Sequence, residues 1–178
     1  MRKRAAILLA LALGASAHAG ESSVEVVELA KQRALVITVR AKPEALEGAL
    51  SKAFFQLVAA AQRHGVTVDG PPFARYLSRG TAKDPTIIVE AGLAFRGTPS
   101  GTLAPSIRAV TLPAGPAATL EHRGRYQDLP DAHAALDRWL AGHKRTTAGP
   151  RWEVYITNPV TTPDPARQQT RIVAPLHK

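Results

Sequence analysis

Apolar residues recur along this chain in two rhythms. Over Thr86 to Arg96 they alternate: Ile87, Val89, Ala91, Leu93 and Phe95 fall on one side, Ile88, Glu90, Gly92 and Ala94 on the other. A period of two predicts a strand with two distinct faces. Residues 34–40 repeat the pattern, with Leu35, Ile37 and Val39 opposite Val36, Thr38 and Arg40. Shorter strands are predicted at 24–29, 73–77, 107–112, 117–123 and 169–174. The second rhythm is helical. Leu46, Leu50, Phe54, Leu57, Val58 and Ala61 form a stripe that starts behind Pro43, carries Glu44 and Glu47 near its N-terminus and stops at Gly65. Leu129, Ala132, Leu136, Trp139 and Leu140 form a second stripe over about 130–142, with Asp128 as the expected N-cap and Trp139 as a core residue.

Taken in order, the elements read as strands, helix and two strands, stated twice, with Gly97 to Gly101 as the candidate internal boundary. The halves also echo in residues. Phe73-x-x-Tyr76 follows the first helix and Trp152-x-x-Tyr155 follows the second. The expected fold is α+β: two pseudo-symmetric β-α-β-β modules, one antiparallel sheet with both helices on one face, and a cleft between the halves.

The strand around Trp152 holds the candidate chemistry. It lies between Gly149-Pro150 and Asn158-Pro159, and alternation puts Trp152, Val154 and Ile156 on one face and Glu153, Tyr155 and Thr157 on the other. The first face is apolar enough for a core. The second sets a carboxylate beside a phenol, so Glu153 either lines a cleft or is an ordinary solvated acid. Tyr76 is a cleft candidate through the echo between halves. Glu90 is either a second acid near the cleft or solvated.

Composition narrows the classes. Met1-Arg2-Lys3-Arg4, an apolar run from Ala5 to Leu13 and Ala17-His18-Ala19 make a signal peptide over 1–19, cleaved after Ala19. The apolar run is too short to span a bilayer, which takes about 20 residues. Residues 20–178 then form a single domain in the periplasm or outside the cell, without a disulfide or lipid-attachment cysteine, because the chain has no cysteine. Loss of Arg2, Lys3 and Arg4 lowers the formal charge from +9 to +6. The remaining basic residues are scattered, apart from His143-Lys144-Arg145, and resemble no nucleic-acid-reading helix, so no specific nucleic-acid partner is expected. The histidines form no metal pattern with a third ligand, Gly-x-Ser-x-Gly is absent, and no metal or cofactor is expected.

Leu112-Pro113-Ala114-Gly115, His122-Arg123-Gly124-Arg125-Tyr126 and Gly149-Pro150-Arg151-Trp152-Glu153-Val154-Tyr155 with Pro159 resemble the GyrI-like small-molecule-binding domain, the effector-binding domain of bacterial transcription regulators. The resemblance runs over about residues 24–176 and is most specific in the second half. It implies a ligand cleft between the modules, with Glu153 as the acid that meets cationic aromatic molecules. Aromatic residues around it would supply walls, with Tyr155, Tyr126 and Tyr76 as the ligand-binding candidates; Tyr126 either points into the cleft or closes the strand-helix turn, and Tyr76 either lines the cleft or is half-buried packing. Some relatives hydrolyse electrophilic small molecules, and an enzyme here would use Glu153 with Tyr126 or Tyr155. His122 lies in the same motif, where a structural hydrogen bond is expected of it. A signal peptide in place of a DNA-binding region argues against a transcription factor. Three readings follow: an exported small-molecule binder, a hydrolase, or a non-catalytic envelope interaction module. The oligomeric state is left open.

Overall fold

In the computed structural model, residues 23–158 and 161–178 are described; the leader expected over 1–19 lies outside them. The strands are β1 (Val24–Leu29), β2 (Gln32–Ala41), β3 (Thr67–Val68), β4 (Phe73–Ser78), β5 (Ile87–Arg96), β6 (Ile107–Leu112), β7 (Gly115–Arg123), β8 (Trp152–Tyr155) and β9 (Gln169–Pro175). The helices are α1 (Leu46–Arg63) and α2 (Leu129–Gly142). The strands form one curled antiparallel sheet in the order β1-β7-β9-β8-β4-β5-β2-β6, with the short β3 paired to β5. This is the expected α+β fold, with one addition. The opening strand of each half crosses over: β1 pairs with β7 of the second half, and β6 pairs with β2 of the first.

The halves meet where β4 pairs with β8. Phe73 lies opposite Val154, Ala74 opposite Glu153 and Arg75 opposite Trp152. Exchanging Phe73 with Trp152 carries the first of these pairs onto the third and leaves the middle one in place. The pseudo-twofold axis therefore passes through Ala74 and Glu153. Backbone bonds obey the same operation: Tyr76 N–H donates to Arg151 O, and Tyr155 N–H donates to Pro72 O, both at 2.9 Å.

Each helix packs on its own half of one face. Leu50, Ala53, Leu57, Ala60 and Ala61 of α1 cover Leu35, Ile37, Val89, Ala91 and Leu93. Leu129, Ala132, Leu136 and Leu140 of α2 cover Ala118, Leu120, Ile172 and Ala174. Each fully buried leucine contributes about 1.5–3 kcal/mol of transfer free energy. A third cluster lies on the opposite face, where Phe73 and Trp152 pack with Ala34, Val36, Leu112, Ala117 and Val173. Gly92 makes this packing possible, since a Cβ there would lie 2.1 Å from Phe73 Cζ.

Three local expectations need correction. Val58 is 41% exposed because it lies on the outer flank of the α1 stripe, where Ala60 and Ala61 turn inward instead. Asp128 makes no side-chain cap; its carboxylate pairs with Arg125, and a short 3-10 turn, Tyr126–Asp128, leads into α2. Trp139 is half-buried at the rim of its cluster and stacks on His143 with ring centroids 4.2 Å apart. Gly65 ends α1 as expected, at φ +65°.

Candidate functional site

Alternation along β4 and β8 turns Ala74, Tyr76, Glu153 and Tyr155 toward the helices, and Phe73, Arg75, Trp152 and Val154 away from them. Glu153 is only 3% exposed, which removes the solvated reading of this acid. The alanine opposite it leaves room for the carboxylate at the centre of the sheet. Glu153 is fully engaged. Its Oε2 accepts from Tyr76 Oη at 2.9 Å and from Tyr155 Oη at 3.0 Å, one phenol from each half of the pseudo-dyad. Its Oε1 lies 2.8 Å from His133 Nε2, which donates to it in the tautomer protonated at Nε2.

The phenols are held as donors. Burial raises the pKa of Tyr76 well above the ordinary phenol value, and the Glu153 charge and hydrogen bond add to the rise. Tyr155 is raised in the same way by burial, then by the charge of Glu153. Tyr126 is half-buried and meets Tyr155 edge-on at 5.6 Å; burial raises its pKa first, followed by the charges of Glu47 and Glu153. Phe54 of α1 also meets Tyr155 edge-on, at 5.9 Å. Thr170, directly across from Tyr155 in the ladder, is buried, and among the described residues its hydroxyl has no hydrogen-bond partner.

Two residues of this cluster were missed in the sequence. His133 sits on the buried stripe of α2, four residues after Leu129 and three before Leu136, where an imidazole among leucines is a signal that could have been read. Arg79, on the loop after β4, gave no such signal. Its guanidinium carbon lies 4.7 Å from the Tyr76 ring centroid, and its Nη2 is 3.2 Å from both ring nitrogens of His133. Equal distances of that size put Nη2 over the imidazole face rather than along either lone pair. Arg79 is thus a planar cation lying against two rings, and both rings hydrogen-bond Glu153.

The remaining candidates fall elsewhere. His122 Nε2 bonds Arg125 O at 3.1 Å, a structural role in the turn before α2. Glu90 is neither solvated nor near Glu153. It is 3% exposed and points to the opposite face, where Oε2 accepts from Arg75 Nε at 2.8 Å and Oε1 from Arg108 Nη2 at 2.6 Å. That face also carries a concavity of about 610 Å³, with Phe73, Trp152, Val154 and Val173 in its floor. Among the described residues, no helix is long and apolar enough to cross a membrane, and no cluster of three His, Asp or Glu residues could hold a metal.

A pseudo-symmetric sheet with a carboxylate on its axis, roofed by helices and ringed by aromatic side chains, defines a small-molecule-binding domain. The chain belongs to the GyrI-like small molecule binding domain family, whose model matches residues 22–177. No curated protein sequence matches it. Among solved structures it is similar to the EcmrR C-terminal domain, with 21% identity and a TM-score of 0.76 over 88% of this chain and 98% of that one. It spans 57% of the longer EcmrR chain seen in a DNA complex. A hydrolase from Listeria innocua is 14% identical, with a TM-score of 0.64 over 90% of this chain and 94% of that one. SAV2435, solved with tetraphenylphosphonium bound, is 11% identical, with a TM-score of 0.61 over 87% and 94%. At these identities the likeness is one of fold.

Proposed function

We propose that this protein is an exported binder of aromatic organic cations, with Glu153 as the charge that selects them and Tyr76, Tyr155, Tyr126 and Phe54 as the walls. The observation that carries the reading is a buried carboxylate surrounded by rings in a domain of this family. Such a carboxylate favours a ligand that brings positive charge, and ring faces add about 0.5–2 kcal/mol each. SAV2435, of the same fold, holds a cation of this class. The formal charge of the mature chain opposes cations at long range, so the selectivity is local to Glu153. Mass spectrometry of ligands retained by protein purified from periplasm tests the reading; recovery of only neutral or anionic compounds would overturn the ligand class.

Export rests on residues 1–19. The mature N-terminus is expected at Gly20, in the periplasmic fraction. N-terminal sequencing that finds Met1 on cytoplasmic protein would refute it.

Hydrolysis is the second reading, and the geometry gives it a specific observation: two phenols and an imidazole converge on one carboxylate. In that chemistry Glu153 activates water and a tyrosine donates a proton to the leaving atom. Tyr155→Phe keeps the ring wall, so it should leave cation affinity within about threefold while lowering any turnover about 100-fold or more. A variant that binds and turns over like the parent removes Tyr155 as the acid. The interaction-module reading called for a flat, exposed second face on the Trp152 strand. That face carries Glu153, 3% exposed, and Tyr155, half-buried against Phe54 of α1, which does not favour it.

A further inference from the structure

Glu153 already has three donors and is covered, so a ligand cation cannot simply be added to it. Against two of those donors lies a cation of the chain's own, on an exposed residue. Arg79 stacks its guanidinium on the Tyr76 ring and lays Nη2 across the face of His133. These are two of the three residues that hold the Glu153 carboxylate. Paired ring faces beside an acid are a recurrent receptor for organic cations. Here that receptor is filled.

The loop that follows Arg79 is held closed by contacts of its own. Gly80 has φ +74°, and a Cβ at this position would meet the Pro85 carbonyl carbon at 2.7 Å and the Asp84 oxygen at 3.0 Å. Only glycine lets the loop close on itself at that point. Thr81 N–H donates to Asp84 O at 2.6 Å, Asp84 N–H donates to Thr81 Oγ1 at 3.1 Å, and Thr86 N–H donates to Asp84 Oδ1 at 3.0 Å. The closed loop starts at the residue after Arg79, so it fixes the base of the side chain relative to β4.

From this we infer that Arg79 is a tethered occupant of the ligand site, an internal cation that an incoming organic cation must displace from Tyr76 and His133. The inference rests on the proposed ligand class and adds what limits it. Binding of an external cation is a competition against a group held at fixed high local concentration, so the observed affinity is lower than the site's intrinsic affinity. The site also favours ligands with enough aromatic surface to outcompete a single guanidinium, and rejects small alkylammonium ions.

Two probes separate this inference from the reading beneath it. Tetraphenylphosphonium is titrated by calorimetry into the parent, Arg79→Ala and Arg79→Gln. Ethylguanidinium, a free copy of the displaced group, is titrated into the same proteins while the Tyr76 ring is followed by NMR. Removal of Arg79 is expected to tighten tetraphenylphosphonium binding about three- to thirty-fold, the span of one cation–π contact. Arg79→Ala is also expected to gain an ethylguanidinium site at Tyr76 that the parent lacks. Equal tetraphenylphosphonium affinity in parent and variants overturns the tethered occupant and leaves the Glu153 reading standing. So does weaker binding in the variants. If no protein binds tetraphenylphosphonium but Arg79→Ala takes up ethylguanidinium, the occupant stands and the aromatic-cation reading falls. If neither probe binds any variant, both are wrong.

Discussion

Glu153→Gln is expected to lose about 2–5 kcal/mol of binding to tetraphenylphosphonium, a fall of at least about 30-fold, while a neutral aromatic of similar shape such as triphenylphosphine oxide binds the variant and the parent alike. The reason lies in what glutamine keeps. Its amide oxygen can stay on the Tyr76 and Tyr155 hydroxyls, which donate to Glu153 at 2.9 and 3.0 Å. Its amide nitrogen can face His133 once the imidazole proton moves to Nδ1. The site therefore holds its shape and loses only its charge. Most of the expected loss is the penalty on a cation left without a counter-charge in a covered site. Calorimetry with the two compounds reads the difference. A variant that binds the cation as well as the parent would show that the carboxylate is not the determinant.

That site was legible in part from the sequence, and the limits have physical causes. Alternation set Glu153 and Tyr155 on one face of their strand, and the aromatic-x-x-Tyr echo tied Tyr76 to the same place in the other half. Both inferences need only the period of a strand and a repeat, and both side chains do meet Glu153. The fold followed for the same reason, since two helical stripes and alternating strands repeat in order. What the periodicity did not contain was pairing. The exchange of β1 and β6 between halves depends on which edges meet, and no local pattern encodes that. His133 was hidden because its stripe was read through Leu129, Leu136 and Leu140, which define the same face without it. Arg79 reaches the site from an irregular loop, where no period places a side chain.

Glu90 illustrates the same limit and yields the second large effect. Its alternation put it on the side away from Leu93 and Phe95, which suggested solvent. The sheet instead curls on that face and buries Glu90 among side chains of neighbouring strands, and register decides the outcome. Arg75 lies directly across from Glu90 on β4, and Thr38 lies across from it on β2. Arg108 reaches over from β6 to bond both Thr38 and Glu90. One buried acid thus holds two guanidinium groups on the concave face. Glu90→Ala should cost about 3 kcal/mol of stability, because Arg75 is left with its side chain only 17% exposed and no counter-charge. Arg108→Ala should cost under about 1 kcal/mol, since its side chain is 54% exposed and Glu90 keeps Arg75. Urea unfolding with an unchanged slope measures both. If Arg108→Ala proves the more damaging, the pair with Arg75 is not what satisfies Glu90, and the burial of this acid on the concave face has been given the wrong cause.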